Sequence, residues 1–544
     1  MMPSSHIATI AGRPPRTAGR TGRAAREGMV LILVIVVVAA LSLGALAFAE
    51  LMVNRRELVE VVQRQVQARL LAESGIEAAK LLLAEEPDIG TSEEDAWYLD
   101  ESRLHGILVI DDGTANDRGR FSVVAPASDR EDDIRFGLEC ESARLNINTL
   151  LDDEDDPTAA RERLMGLPDM TEDIADAILD WLDEDDEARE FGAEAQYYQS
   201  LASPYQPTNG PLRRIEELLH VRGVTRELLL GADTNRNGIV DANEAGQSTL
   251  TDERGWAAYL TLHSAERIQR ADGQAKINVN QDDLETLHAE LKEALGTQWA
   301  TFIVGYRQQE ELYNDTNQEG NNDTGGPNRP EDGGQPGSNE EEEIEYEDEI
   351  TGELDLSKSA SQTLDSVLDL IGQSIKVQYA GRENPVVVSP QFADDANAMA
   401  DYLPKLLDCL TIDDATSASG RVNIHLASEA VLTCVPGIDA DLAAQIVAQR
   451  PADPTGIDTS QQNLAWLLTE GLVPLDEAKA LLPRLTVGGC VYRLQAVGFF
   501  DAGGPIVRLE AIMDATTTPA RVLSLKDLSA FGRGFDPAML GAAE

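Results

Sequence analysis

Arg26-Glu27-Gly28-Met29, and the run MVLILVIVVVAALSLGALAFA that begins at Met29 and ends at residue 49, set how the rest of the chain is read. The run carries no charged side chain. At about 1.5 Å rise per residue a helix over it spans roughly 30 Å, the thickness of a bilayer's hydrocarbon core. Arg13, Arg16, Arg20, Arg23 and Arg26 precede it. Basic residues on one flank keep that flank cytoplasmic, so everything after residue 50 is expected on the far side. No small-x-small site follows at a signal-peptidase distance, so the run reads as an anchor and not as a cleaved secretory signal.

The helix does not stop at the membrane. Residues 50–86 hold no proline and one glycine, Gly75. Leu51, Leu58, Val61, Val62, Val66, Leu70, Ile76, Ala79 and Leu83 recur near a helical period. Pro87 ends the pattern. One helix over 29–86 is predicted, lipid-facing first and amphipathic after.

The whole chain has 544 residues and a formal charge of −52. Without the leader's five Arg and one Glu, residues 29–544 hold 39 basic and 95 acidic side chains, a net −56. Such a chain repels nucleic-acid phosphates and favours cations. Four cysteines, Cys140, Cys409, Cys434 and Cys490, are too few for a disulfide scaffold.

After an acidic loop, strands are predicted at 106–110, 120–125 and 134–140, between Asp- and Gly-rich turns. An internal repeat follows. Arg144-Leu145-Asn146-Ile147-Asn148 recurs as Lys276-Ile277-Asn278-Val279-Asn280 and, degraded, as Arg421-Val422-Asn423-Ile424-His425. Helices are predicted behind each, at 157–164, 284–295 and 428–434. In the first and third copies a glycine turn (Gly166, Gly437) leads to a second helix, at 172–182 and 441–450, a helix-hairpin-helix pattern. Nucleic-acid binding by such turns needs nearby cations. The first instead carries Asp169, Glu172, Asp173 and Asp176, so it reads as packing structure. Further helices are predicted at 299–307, 357–371, 398–410, 463–468 and 475–482, with a strand or short helix at 256–262. Residues 313–353 lack core formers and are predicted disordered. The end is β: 490–500, 506–513 and an edge strand at 522–527.

Asp233-Thr234-Asn235-Arg236-Asn237-Gly238-Ile239-Val240-Asp241-Ala242-Asn243-Glu244 fits the twelve-residue calcium loop D-x-[DN]-x-[DN]-G-x5-E at every specified position. Asp233, Asn235 and Asn237 offer oxygens on alternate residues. Gly238 permits the turn, Ile239 offers its carbonyl, Asp241 binds directly or through water, and Glu244 closes the shell. An Asx-rich surface turn is the alternative. Gly246 argues against an exiting helix, hence a lone structural calcium site.

A basic leader, a glycine and a long half-buried helix resemble the type IV pilins and pseudopilins, with the junction at Gly28 and Met29. Two positions depart from that pattern: Met29 stands where the family has Phe, and Leu33 where it has Glu at the fifth mature residue. The lost Glu is similar to the K-type minor pseudopilins of type II secretion (general secretion pathway protein K). So is an ordered set: Asn146-Ile147-Asn148; Asp180-Trp181-Leu182-Asp183-Glu184-Asp185; Gly192-Ala193-Glu194; Tyr197-Tyr198; Pro204-Tyr205; Asn209-Gly210; Glu216-Glu217-Leu218; and Val221-Arg222-Gly223. The resemblance implies cleavage after Gly28 by a prepilin peptidase and methylation of Met29. It implies a bacterial inner-membrane protein with a periplasmic bulk, calcium binding as in relatives, and a place at the pseudopilus tip. Its expected partners are other minor pseudopilins and the inner-membrane assembly platform, with no nucleic acid.

The expected fold is α+β: a long transmembrane and amphipathic helix, a small antiparallel pilin-like sheet, and a large helical insertion. Its components are a leader (1–28), the helix (29–86), the first strands of the sheet (87–143), and a helical insertion with the calcium loop (144–312). An acidic linker (313–356), a second helical lobe (357–486) and strands completing the sheet (487–544) follow. No P-loop, H-E-x-x-H, G-x-S-x-G or C-x-x-C occurs, and the six histidines are scattered, so no enzyme is expected. Two other readings are an anchored helix-hairpin-helix receptor for DNA uptake, which needs basic turns, and a calcium-dependent adhesion module, which needs more loops.

Overall fold

A single helix, α1 (Ala24–Ala84), opens the computed structural model. The structure describes residues 24–85, 99–111, 118–126, 134–152, 158–309, 345–382, 384–450 and 461–542. The chain divides into two units, Met1–Gln67 and Ala68–Glu544. In the first, the apolar side chains from Met29 to Val66 are exposed, and the helix is long and apolar enough to cross a membrane. In the second, α1 is amphipathic. Ala68, Leu71, Ala72, Ile76, Ala79, Leu82 and Leu83 are buried at helical spacing.

They pack on an antiparallel sheet. Its strands are β1 (Ile107–Ile110), β2 (Gly119–Pro126), β3 (Ile134–Phe136), β4 (Glu139–Cys140), β5 (Val491–Phe500), β6 (Val507–Asp514) and β7 (Arg521–Asp527). The order is β1-β2-β5-β6-β7, with β3 on β2 and β4 on β5. One face meets α1 through Phe121, Val123, Leu494, Ala496, Leu509 and Ala511. The other is covered by the chain's end, where Phe535 and Leu540 join Val124, Val497 and Phe499. Burial on both faces explains why β5 is nearly all apolar.

Helix and sheet touch at small residues. A Cβ on Gly498 of β5 would lie 2.0 Å from the Ala68 carbonyl oxygen and 2.6 Å from the Ala72 nitrogen. On the helix side, a Cβ on Gly75 would lie 3.1 Å from the Phe121 ring. Gly498 therefore sets how closely α1 seats, and each large side chain buried by that seating contributes about 1.5–3 kcal/mol.

The chain leaves the sheet after β4 and returns at β5, its direct neighbour, with Cys140 opposite Tyr492 and Glu139 opposite Arg493. Everything between is one insertion, whose two ends meet at this pairing, the neck. At the neck, fully buried Glu141 accepts from Arg493 Nε at 2.6 Å and Nη2 at 3.2 Å, and from the Thr261 hydroxyl. Arg144 lies 3.7 Å away and pairs with Glu139 at 2.7 Å. Burial pushes the Glu141 carboxyl up, but Arg493 and Arg144 outweigh it and hold the group below its ordinary 4.5.

Inside the insertion three segments share one backbone pattern. Leu145–Asn146 pairs in parallel with Leu260–Thr261, Ile277–Asn278 with Leu410–Thr411, and Val422–Asn423 with Leu485–Thr486. In each, the asparagine side chain accepts the N–H two residues on: Asn148 at 3.1 Å, Asn280 at 2.8 Å and His425 at 2.9 Å. Asn148 and Asn280 each hold the backbone of a later leucine, Leu212 or Leu364, as both donor and acceptor. The degraded copy keeps one such bond, from its histidine ring to the Gln461 carbonyl. Helices follow at Ala159–Met165 and Glu172–Leu182, at Leu284–Leu295 and Thr297–Gln308, and at Glu429–Leu432 and Ala440–Gln449. The middle segment is set on an antiparallel pair, Ala265–Arg267 with Ser417–Ser419.

Two expectations fail. Residues 357–371 are not a helix. Asp355 Oδ1 accepts from the Ser357 amide and hydroxyl, and Ser366 and Asp369 cap only a short 3-10 turn, Val367–Leu370. Ser and Thr side chains compete for the backbone there. Of the expected linker, 313–344 lie outside the described residues. Glu345–Glu347 is a strand, parallel to Val386–Val388 and added by its backbone despite its acidic side chains. The 134–140 strand is two pieces, and the 398–410 helix is Ala396–Cys409.

Replacing Gly498 by Ala is expected to lower the thermal midpoint of the detergent-solubilised chain by a shift worth about 3 kcal/mol or more. Gly488→Ala, where a Cβ meets nothing within 4 Å, should leave it unchanged. Glu141→Gln should cost about 3–5 kcal/mol at neutral pH in urea titration, because Arg493 stays buried opposite a neutral amide. A depressed carboxyl stabilises above its unfolded value and loses that contribution as pH falls, so the gap between variant and wild type should narrow below about pH 4.5.

Candidate functional site

The loop at 233–244 closes on itself through its own side chains. The Asp233 carboxylate accepts from the Asn237 amide at 3.2 Å and the Gly238 amide at 2.9 Å. Asn235 Oδ1 accepts from the Asn237 amide, and Asn237 Oδ1 from that of Ile239, both at 2.9 Å. Glu244 reaches back to the Thr234 amide at 2.9 Å and, through its other oxygen, to that of Asp241 at 3.2 Å. The Asn235 amide group donates to Asp241 Oδ2 at 2.6 Å. Arg236 and Gly238 take φ of +57° and +85°, which lets alternate side chains turn inward. Thus Asp233, Asn235, Asn237, Asp241 and Glu244 share one loop.

Asn237 and Glu244 are buried. Burial, with the Glu244 charge nearby, pushes the Asp233 carboxyl up to about 6. Two acids held together among oxygen donors is the electrostatic deficit a hard divalent cation would relieve, so the residues fit calcium.

The loop is anchored from far along the chain. Gln495 of β5 donates to the Arg236 carbonyl at 3.0 Å, and fully buried Arg508 of β6 to the Asn235 carbonyl at 2.5 Å. The Asn237 side-chain Nδ2 donates to the Gly534 carbonyl at 2.7 Å. Ile239 packs on the cluster of Val124, Phe499 and Phe535. Sequence reading missed these anchors, since no local pattern joins residue 235 to residue 508.

The acidic helix Glu172–Leu182 uses two of its acids as internal ties. Buried Asp176 takes both nitrogens of a fork from Arg161, each at 2.7 Å, and the Phe191 amide at 3.0 Å. Buried Asp180, one turn on, takes Arg189 at 2.7 Å. The glycine turn before this helix is closed by protein. A Cβ on Gly166 would lie 2.8 Å from the Thr433 and Cys434 backbone. That turn packs one segment on another and offers no phosphate cradle, against the DNA-receptor reading. Trp181 and Tyr198 meet edge to face at 5.2 Å in the core.

Gly28 and Met29 are consecutive in α1; residues 1–23 lie outside the described residues.

Residues 143–231 match the family model described as type II secretion system (T2SS), protein K. Over that stretch the chain is similar to the K-type minor pseudopilins of type II secretion. The matched stretch holds the strand Leu145–Asn146, the acidic helix and the ordered motifs up to Val221-Arg222-Gly223. A solved structure, the GspK-GspI-GspJ complex of the enterotoxigenic Escherichia coli type 2 secretion system, has a chain 12% identical to this one with a TM-score of 0.33. The likeness covers 88% of this chain and 98% of that one. No curated protein matches it. The family match supports a minor pseudopilin of type II secretion, and it supports neither the receptor nor the adhesion reading.

Proposed function

We propose that this chain is a minor pseudopilin of type II secretion, cut after Gly28 by a prepilin peptidase, methylated on Met29, and placed at the tip of the pseudopilus, where it starts assembly. The observation that carries the tip position is Leu33. An unpaired ammonium in lipid is costly, and a filament subunit relieves it with a carboxylate from the neighbouring helix. A chain with leucine at the fifth mature position has no carboxylate there to give to the amine of a subunit below, so it fits where no such duty falls on it.

The apolar length of α1 supports a single-pass anchor, with the arginine-rich leader cytoplasmic and the bulk in the periplasm. Exposed Val34, Ile35, Val36, Val37 and Val38 suit packing against other pseudopilin helices. Partners of the GspI and GspJ type, the assembly platform and the peptidase follow from that reading. Nucleic acid does not, since the mature chain is strongly acidic. The 233–244 loop holds one calcium ion through Asp233, Asn235, Asn237, the Ile239 carbonyl, Asp241 and Glu244. The ion locks the loop that Gln495 and Arg508 grip, and so stiffens the junction of insertion and sheet.

Mass spectrometry of the mature N-terminus, with and without a co-expressed prepilin peptidase, tests the processing. The expected peptide begins at methylated Met29 and appears only with the peptidase; an intact leader in both samples would refute it. Calcium at a hundredfold excess over its Kd should stabilise the wild type by about 2.7 kcal/mol through this site, and Asp233→Ala should lose that gain together with one bound ion. Unchanged stoichiometry and affinity in Asp233→Ala would sink the loop assignment.

A further inference from the structure

The sheet grips the 233–244 loop with a charge where a neutral group would serve. From β5, Gln495 donates its side-chain amide to the Arg236 carbonyl. From β6, the next strand, Arg508 does the same for the Asn235 carbonyl with a guanidinium. Arg508 is fully buried, and the same nitrogen, Nη2, donates to a second backbone carbonyl, that of Leu528, at 3.3 Å. Nε and Nη1 have no acceptor. The Gly534 backbone closes over them: a Cβ there would lie 2.0 Å from Nη1. Among the described residues no carboxylate lies within ion-pair distance of Arg508.

A buried charge without a partner is costly, and a clamp on a carbonyl does not require one. The charge is matched at longer range. Burial pulls Arg508 below the usual arginine range, and the charges of Asp233 and Glu510 oppose that pull. Glu510 already has Lys526 at 3.7 Å. Asp233 instead accepts from the backbone amides of Asn237 and Gly238. The loop carries three carboxylates, on Asp233, Asp241 and Glu244, and one cation of its own, Arg236, which is paired with Glu216 at 2.9 Å. Three carboxylates exceed the charge of a divalent ion by one, and Arg508 supplies that one from behind the loop.

We propose that Arg508 sets the charge of the ion the loop accepts: its buried guanidinium cancels the third carboxylate, so the site balances a divalent ion and disfavours a trivalent one. The inference rests on the reading of residues 233–244 as a calcium site. Arg508 acts on the ion through its field, in a region where protein and not water fills the space between charges. Gln495, holding the neighbouring carbonyl with a neutral amide, contributes position alone.

Equilibrium dialysis of the full chain in detergent, against calcium chloride and separately against terbium chloride, reads the preference. Terbium is trivalent and close to calcium in size. Each protein is run with and without Asp233→Ala, so that the ion held by the loop is the difference. Arg508→Met, neutral and of similar length, should raise the ratio of terbium to calcium affinity about tenfold over wild type. Arg508→Lys, which keeps the charge, should leave the ratio unchanged. Loss of the clamp alone weakens both ions alike and does not move it. Should Arg508→Met lose its far-ultraviolet circular dichroism, Arg508→Gln takes its place with the same expected rise. A wild-type ratio in the folded neutral variant, or an equal rise in Arg508→Lys, would overturn the role of Arg508. A wild type whose binding is untouched by Asp233→Ala would refute the calcium loop itself, and this inference with it.

Discussion

A buried carboxylate, that of Glu141, joins three regions of the chain that lie far apart in sequence. It lies one residue beyond β4, bonds the guanidinium of Arg493 on β5, and takes the hydroxyl of Thr261, where the first inserted segment closes. Adjacent strands of a sheet are normally linked by a turn. Here they are linked by the whole insertion, so the strand pairing Cys140–Tyr492 has to hold without a short loop to enforce it. A desolvated ion pair suits that duty because its geometry admits few alternatives: a slipped register would strand a charge in the interior. The sheet then offers α1 a fixed surface, and the Gly498 contact can be as close as it is.

The architecture of the insertion shows which features a single sequence displays. The Asn-x-Asn repeat is legible because a side chain bonding the backbone two residues on is a local event, repeated with little change. The Leu-Thr dipeptides that complete each rung, at residues 260–261, 410–411 and 485–486, are just as regular in space. Yet nothing in the sequence marks them, since two residues carry no periodicity and their partners lie far away. Helices with strong apolar stripes, such as Glu172–Leu182 and Leu284–Leu295, stand out to the residue. The 357–371 stretch shows the opposite: Leu364, Val367 and Leu368 are buried as their spacing implies, but serines and aspartates claim the backbone and the stripe lies on a 3-10 turn and coil. Buried apolar spacing reports burial first and helicity second.

The candidate sites divide along the same line. The 233–244 loop is visible because calcium-loop chemistry dictates spacing within twelve residues. Its grip by Gln495, Arg508 and Gly534 is invisible because the chain travels through two more segments before supplying them. The loop is thereby a rivet between insertion and sheet, with the insertion contributing the ring and the sheet the hands that hold it.

The middle segment has a mechanical consequence. Both its ends pass through one antiparallel pair, with Ala265 opposite Ser419, Glu266 opposite Ala418 and Arg267 opposite Ser417. A pull on the far side of that segment loads the pair at its open end, and the rungs separate in succession instead of sharing the force. Below them, Glu266 is held by Arg421 and Thr486, and the Ala265 carbonyl by the Cys490 amide at 2.7 Å. The pair is therefore a fuse. Of the backbone connections that lead from the middle segment to β5, these three residue pairs are the ones loaded one at a time.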